Sequence, residues 1–270
     1  MMKLFTLLAL FVYGSEALRT VASPRVLKPF AERRALKVIS GLMNFDQVSV
    51  AMVCQAAGAG GASLVDIACD PALVKLARSV CDLPICVSSV EPELFVAAVA
   101  AGAEMVEIGN YDAFYLKGIT FSAAQVEELT RRTRELLPDT PLSVTIPHTL
   151  PIDQQVALAE ALLAYGVDVI QTEGGMGAKP FSAGVLGMIE KAAPSLAAAH
   201  EISRCIGGRA HVMAASGISD VTAPLALAAG ADGVGVGSAI NKLGDVTQMS
   251  FAVRRIADAM AIAQRARVSA

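Results

Sequence analysis

Eight short apolar runs, each closing on a small, polar or acidic residue and each followed by a stretch of helical period, constrain this chain more than any other feature. The runs are Leu36–Ser40, Leu64–Ala68, Ile85–Ser89, Met105–Gly109, Leu142–Ile146, Val169–Glu173, His211–Ala215 and Gly233–Gly237. Runs this short and this apolar suit strands covered on both faces, which is the environment of a parallel sheet. Helical period appears at Val48–Ala57, Ala72–Val80, Pro92–Ala101, Ala123–Leu137, Asp153–Tyr165, Gly184–Ile206, Ala223–Ala229 and Val246–Arg265. Asp46, Asp70, Ser122 and Asp220 are placed to cap helix starts, and Gly58, Gly102, Gly166 and Gly230 to end helices. Eight strand–helix units over residues 35–270 predict one α/β domain, a closed (β/α)8 TIM barrel. An open doubly wound sheet is the competing arrangement, but no glycine-rich dinucleotide turn follows the first run.

A repeat supports closure. Ala57-Gly58, Ala101-Gly102, Tyr165-Gly166 and Ala229-Gly230 precede runs two, four, six and eight. Aligning those runs puts Asp66, Glu107, Gln171 and Gly235 in one register, with Ala68, Gly109, Glu173 and Gly237 two residues on. Alternate strands of a barrel share each interior layer, so the first four define a layer and the second four the mouth. Lys37, on the first run, points inward between them.

Composition excludes several classes. The chain is 54% hydrophobic, so it has material for a large core and is not a disordered protein. No apolar stretch approaches the roughly 18 residues of a membrane helix, and no membrane association is expected after processing. Net charge is −3, and −7 once the six bases and two acids of residues 1–34 are removed, which argues against nucleic acid as a partner. Cys54, Cys69, Cys81, Cys86 and Cys205 are scattered and read as small core residues. Cys81 and Cys86 lack a second Cys or His pair, so no metal is expected there.

The first 34 residues read as targeting signals. Lys3, the apolar stretch from Leu4 to Tyr13 and Ser15-Glu16-Ala17 have the pattern of a signal peptide over residues 1–17. Residues 18–34 carry Arg19, Arg25, Lys28, Arg33 and Arg34 against Glu32, the basic, acid-poor composition of a transit peptide. Together they predict a plastid (chloroplast) protein delivered through the secretory route; plain secretion is the alternative.

In a barrel, chemistry belongs at the carboxyl ends of the strands. Runs seven and eight end in Ser216-Gly217 and in Gly235-Val236-Gly237-Ser238. Glycines let the backbone approach an anion, and a short helix after Gly237 offers free amides beside the Ser238 hydroxyl, so Gly217, Gly235, Gly237 and Ser238 form a candidate phosphate cup. Tight packing alone is the competing explanation of those glycines. Gly174 and Gly175, after run six, form a candidate ligand loop. Glu173 beside them is a candidate general base, or a solvated loop acid. Asp66, Glu107 and Lys37 are candidates for proton transfer: an ammonium between two carboxyls holds one ionised while the other rises in pKa. The same three groups also suit a satisfied buried ion network, and Lys37 a Schiff base. His148, after run five, is a candidate proton carrier or a hydrogen-bonded loop residue; His200 and His211 are structural. Asn110, Tyr111 and Asp112 open a loop long enough to cover a ligand.

These residues resemble a family. Lys37-Val-Ile-Ser-Gly-Leu-Met-Asn44-Phe-Asp46, Ser89-Val-Glu91-Pro, Val106-Glu107-Ile-Gly109-Asn110-Tyr-Asp112, Ser143-Val-Thr-Ile-Pro-His148, Gln171-Thr-Glu-Gly-Gly175 and Ala215-Ser-Gly-Ile-Ser-Asp220 are similar to the plastid and cyanobacterial proteins called hypothetical chloroplast reading frame twenty-three. That resemblance implies a TIM barrel in a plastid and no particular reaction. The strand seven and eight segments also resemble the phosphate site of the tryptophan synthase alpha subunit, whose catalytic Glu stands in a strand like Glu107-Ile108-Gly109. Gln171 to Gly175 resemble flavin mononucleotide (FMN) enzymes of the nitronate monooxygenase type, which have a catalytic His where this chain has Met176. The readings kept open are an isomerase, epimerase or lyase of a small phosphorylated molecule, an FMN-dependent oxidoreductase, and a non-catalytic binder of a phosphometabolite. An apolar helix face suits a homo-oligomer as well as packing on the barrel.

Overall fold

The structure, a computed structural model, describes residues 24–175 and 179–268. The expected signal peptide, 1–17, lies outside them, as do residues 18–23 of the expected transit peptide. Eight strands form the sheet: β1 (Ala35–Ile39), β2 (Leu64–Ala68), β3 (Ile85–Ser89), β4 (Met105–Ile108), β5 (Leu142–Thr145), β6 (Val169–Thr172), β7 (His211–Ala215) and β8 (Gly233–Val236). They pair in chain order, all parallel, and β8 closes on β1 with Lys37 opposite Gly235. This is the (β/α)8 TIM barrel. β4, β5, β6 and β8 end one residue before the apolar runs do, where the mouth loops begin.

The helices are α1 (Pro24–Ala31), α2 (Gln47–Gly60), α3 (Pro71–Val80), α4 (Pro92–Ala100), α5 (Asp112–Tyr115), α6 (Ala123–Leu136), α7 (Ile152–Leu162), α8 (Gly184–Ile206), α9 (Ala223–Ala229), α10 (Ser238–Asn241) and α11 (Val246–Val268). Three expected caps hold: Asp46 accepts from the Ser49 amide, Asp70 from Ala72 and Leu73, and Ser122 forms a capping box with Gln125. Asp220 does not cap. Pro224 suits only the first turn, which starts α9 at Ala223, and the Asp220 carboxylate pairs instead with Arg255.

Two apolar cores divide the molecule. The larger lies between the outer face of the strands and the helices. The smaller fills the lower half of the barrel with Ala35, Leu64, Cys86, Met105, Val169 and Met213, and is closed from below by Val26 and Phe30 of α1. Phe30 is fully buried and stacks on His211, with ring centroids 5.7 Å apart. Part of the segment that reads as a removable presequence is therefore the floor of the barrel.

Cys54, Cys69 and Cys86 are buried as expected, and Cys81 and Cys205 are half-buried. Cys54, on α2, and Cys81, capping α3, are 27 positions apart yet in contact. The hydrogen bond from Cys54 holds the Cys81 thiol down at about 7, while the same bond together with burial pushes Cys54 up.

Candidate functional site at the carboxyl-end mouth

Two residues above Leu64, Met105, Val169 and Gly233 the interior turns polar, and Asp66, Glu107, Gln171 and Gly235 form the expected layer. Lys37 reaches up into it from β1. Its ammonium donates to Glu107 Oε2 and lies 3.6 Å from Asp66 Oδ2; all three side chains are about 99% buried or more. Glu107 Oε1 accepts from Gln171 Nε2 at 2.9 Å and from Thr145 Oγ1 at 3.4 Å, and Asp66 Oδ1 accepts from Ser88 Oγ at 2.6 Å. Gly235 leaves room for this: a Cβ there would stand 3.1 Å from Ala215 Cβ and 3.4 Å from Gln171 Oε1.

Asn110 closes the layer from above. Its Nδ2 lies 3.0 Å from Asp66 Oδ2, 3.0 Å from Ser88 Oγ and 3.1 Å from Glu107 Oε1. The backbone makes this reach possible. Gly109 has φ +143°, where a Cβ would stand 2.2 Å from Thr145 Oγ1, and Asn110 has φ +64°, a left-handed conformation that Asn tolerates better than most residues. The chain thus folds back on itself at the end of β4 and drops the amide into the barrel.

Two carboxyls and one ammonium out of water cannot all be ionised without cost. Burial pushes the Asp66 carboxyl up, to about 6; Lys37 pulls it down, Glu107 pushes it up again, and the Ser88 and Asn110 hydrogen bonds lower it. Burial works against the Lys37 charge, but Glu107 and Asp66 outweigh it and hold the amine above its ordinary pKa. Set between the two carboxyls, the Lys37 ammonium balances their charge. Asp66 is the group poised to take or give a proton near neutral pH.

A second cluster stands beside the first. Glu173, 5% exposed, accepts from Tyr115 OH at 2.8 Å, from the His148 ring Nδ1 at 3.0 Å and from the His148 amide at 3.3 Å. That contact raises the His148 pKa. Gly175 (φ +71°) is required where the imidazole lies on the backbone: a Cβ there would fall 2.3 Å from His148 Nε2. Gly174 backs onto the β7 loop, its would-be Cβ 3.2 Å from Ser216 Cβ.

A cavity of about 590 Å3 opens over the mouth, bounded by residues 39–44 after β1, by Asn110 and Asp112 after β4, and by Gly237, Ser238, Asn241 and Lys242 after β8. Asn241 ties this wall to β1, its Nδ2 donating to the Ile39 carbonyl at 2.8 Å. Of the four residues of the expected cup, Gly237 and Ser238 line the cavity and Gly217 and Gly235 do not. Gly217 has a packing cause instead: at φ +73° a Cβ would stand 2.7 Å from the Lys191 carbonyl of α8. A second cavity, about 610 Å3, lies among Leu243, Phe251, Ile256 and Met188 and holds none of these acids.

The structure brings Lys37, Asp66 and Glu107 together, as the sequence expects, and it pairs Glu173 with His148, two candidates the sequence offers separately. It adds Ser88, Thr145 and Tyr115, and it gives Asn110 and Asp112, expected only to open a covering loop, places beside these acids. The Gly109-Asn110 pair directly after a strand is the one local signal that marks such a residue; the others are polar residues whose neighbours come from distant strands.

Fold and site define a (β/α)8 barrel with a buried Lys–Asp–Glu layer beneath an open cavity at its carboxyl-end mouth. The chain belongs to the family described as "Protein of unknown function (DUF561)", which matches residues 21–266. "Uncharacterized protein ycf23" of Cyanophora paradoxa is 43% identical over 219 residues, covering 81% of this chain and 89% of the relative. The protein of the same name from Pyropia yezoensis is 37% identical over 238 residues, covering 88% and 86%. These matches bear out the chloroplast reading frame resemblance. Among solved structures, "QR15, an Aldolase" is similar with a TM-score of 0.59 and 21% identity, covering 80% of this chain and 94% of that one, a likeness of fold. No described helix is long and apolar enough to cross a membrane.

Proposed function

We propose that this protein is an enzyme acting on a small phosphorylated molecule by proton transfer, as an isomerase, epimerase or lyase. One observation carries the reading: Asn110 lines the cavity and also donates to both Asp66 and Glu107, so the ligand space and the buried acids share a wall. At the other wall, the Gly237 and Ser238 backbone, the Ser238 hydroxyl and the Lys242 ammonium supply donors and positive charge suited to phosphate. Asp66 exchanges the proton. Glu107 is fixed by Lys37 and Gln171, and the Lys37 ammonium lies between the two acids. With no ion bound, Glu173 and His148 form a second acid–base pair at the mouth, suited to a reaction in which a proton leaves one atom and another arrives elsewhere.

We assign the protein to the plastid. The name ycf23 carried by its relatives supports this, and residues 1–17 support entry by the secretory route.

Native mass spectrometry of the chain and of Gly237→Asp tests the ligand. A Cβ at Gly237 would meet nothing nearer than the Ile39 carbonyl at 3.4 Å, so the variant is expected to fold while placing a negative charge in the cavity. A bound phosphorylated mass lost in the variant supports the reading, and its value separates a sugar phosphate from FMN. A phosphorylated mass held equally by both proteins refutes the cavity as the phosphate site. No saturable binding of any phosphorylated compound in a metabolite screen refutes the substrate class.

A further inference from the structure

We infer that Asp112, His148 and Glu173 form a binding site for one divalent transition-metal ion at the rim of the cavity. The three come from consecutive mouth loops, after β4, β5 and β6. One ligand atom of each, an imidazole nitrogen and two carboxylate oxygens, lies within 4.8 Å of the others. The separation of His148 Nδ1 from Glu173 Oε2, 3.0 Å, is that of two ligands about 2.1 Å from one ion at right angles, which works out at about 3.0 Å. In forming the site, Nδ1 gives its proton to solvent and the ion takes the proton's place between nitrogen and oxygen.

A separate observation points to the same place. Tyr111, fully buried, has a hydroxyl with no hydrogen-bond partner among the described residues, and it feels the Glu173 carboxylate more than that of Glu107. A fully buried hydroxyl normally bonds to something; a water on the ion would serve it. Tyr115 OH and the His148 amide, both donating to Glu173 Oε2, hold that carboxylate in position as outer partners.

The donor set selects the ion class. One nitrogen and two oxygens suit Mn2+, Fe2+ or Zn2+; three protein ligands leave further positions open, and the imidazole disfavours Ca2+ and Mg2+. Asp112 also lines the cavity, so a bound ion meets whatever occupies it. The site does not depend on the phosphate reading, because the ion is titrated alone and either result can fail without the other.

The test is a titration of the tag-free chain with MnCl2, followed by electron paramagnetic resonance of free Mn2+, with ring-proton NMR of the histidines in the same samples. The expected result is one saturable equivalent, weakened at least about tenfold in His148→Ala and in Glu173→Gln. In the unsubstituted protein, Mn2+ should broaden the His148 ring signals before those of His200 and His211, which lie on α8 and at the start of β7. That readout stands even if a variant fails to fold. Absence of a saturable equivalent, unchanged affinity in a folded His148→Ala, or first broadening at His200 or His211 overturns the assignment.

Discussion

Replacing Lys37 by Met tests the electrostatics of the barrel interior. Met fills similar volume but removes the only cation among the described residues of the layer, leaving Asp66 and Glu107 facing each other out of water. At 3.6 Å and an effective dielectric of about 20, the Lys37–Asp66 attraction is about 4–5 kcal/mol. The Glu107 pair adds to this, and relief of the ammonium's desolvation subtracts, so a net loss of about 3–5 kcal/mol is expected at pH 8. The sign of the pH dependence follows from Asp66. Its folded pKa of about 6 lies above the roughly 3.9 of an unfolded aspartate, so its contribution is present below about pH 4 and is lost as pH rises through 6. Without Lys37 the carboxyl rises further, the variant takes up a proton near neutrality, and its deficit against the parent shrinks between pH 8 and pH 5. Urea unfolding at both pH values reads this directly, and a second change, Glu107→Gln, should recover part of the loss at pH 8. A Lys37→Met protein within about 1 kcal/mol of the parent at pH 8, with an unchanged pH profile, would refute the claim that these three charges share one desolvated layer.

Packing at the barrel floor, the β4 turn and the cysteine environments set three further expectations. Phe30→Ala should lower stability by about 3–5 kcal/mol in urea unfolding, and removal of residues 1–34 by more than removal of residues 1–23, because Val26 and Phe30 close the lower core; equal stability of the two truncations would return the domain start to Ala35. Gly109→Ala should cost several kcal/mol, on the order of 3 or more, in thermal unfolding, since it combines a strained φ with a clash against Thr145. Mass mapping of iodoacetamide adducts at pH 7.5 should find Cys81 alkylated well before Cys54, Cys69 and Cys86, whose thiols are buried and raised in pKa.

Much of this was legible from the chain alone, for a physical reason. The β2, β3 and β7 limits, and those of α8 and α9, match the apolar runs and helical stretches residue for residue, because a strand covered on both faces is mostly apolar and a helix shows its period. Asp66, Glu107 and Gln171 were placed in one layer because the side-chain alternation of a strand and the alternation of strands in a barrel leave them no other face. Other features are set by contacts between residues remote in sequence. Asn110 gains its partners only when β2, β3 and β4 lie side by side; Cys54 meets Cys81 only when α2 packs on α3; Gly217 answers to α8 packing where its spacing suggested an anion.

The N-terminal segment shows the division most clearly. Residues 18–34 have a basic, acid-poor composition, which by itself reads as a targeting signal. Val26 and Phe30 lie four positions apart on one face of α1, and that face has no value until a barrel floor of Leu64, Met105, Val169 and Met213 exists for it to cover. Local sequence sets the pattern of strands and helices because backbone preferences and side-chain periodicity act over a few residues. Tertiary structure decides what is buried together, and so which carboxyl rises in pKa and which loops converge over the cavity, because burial and charge act between groups the chain itself keeps far apart.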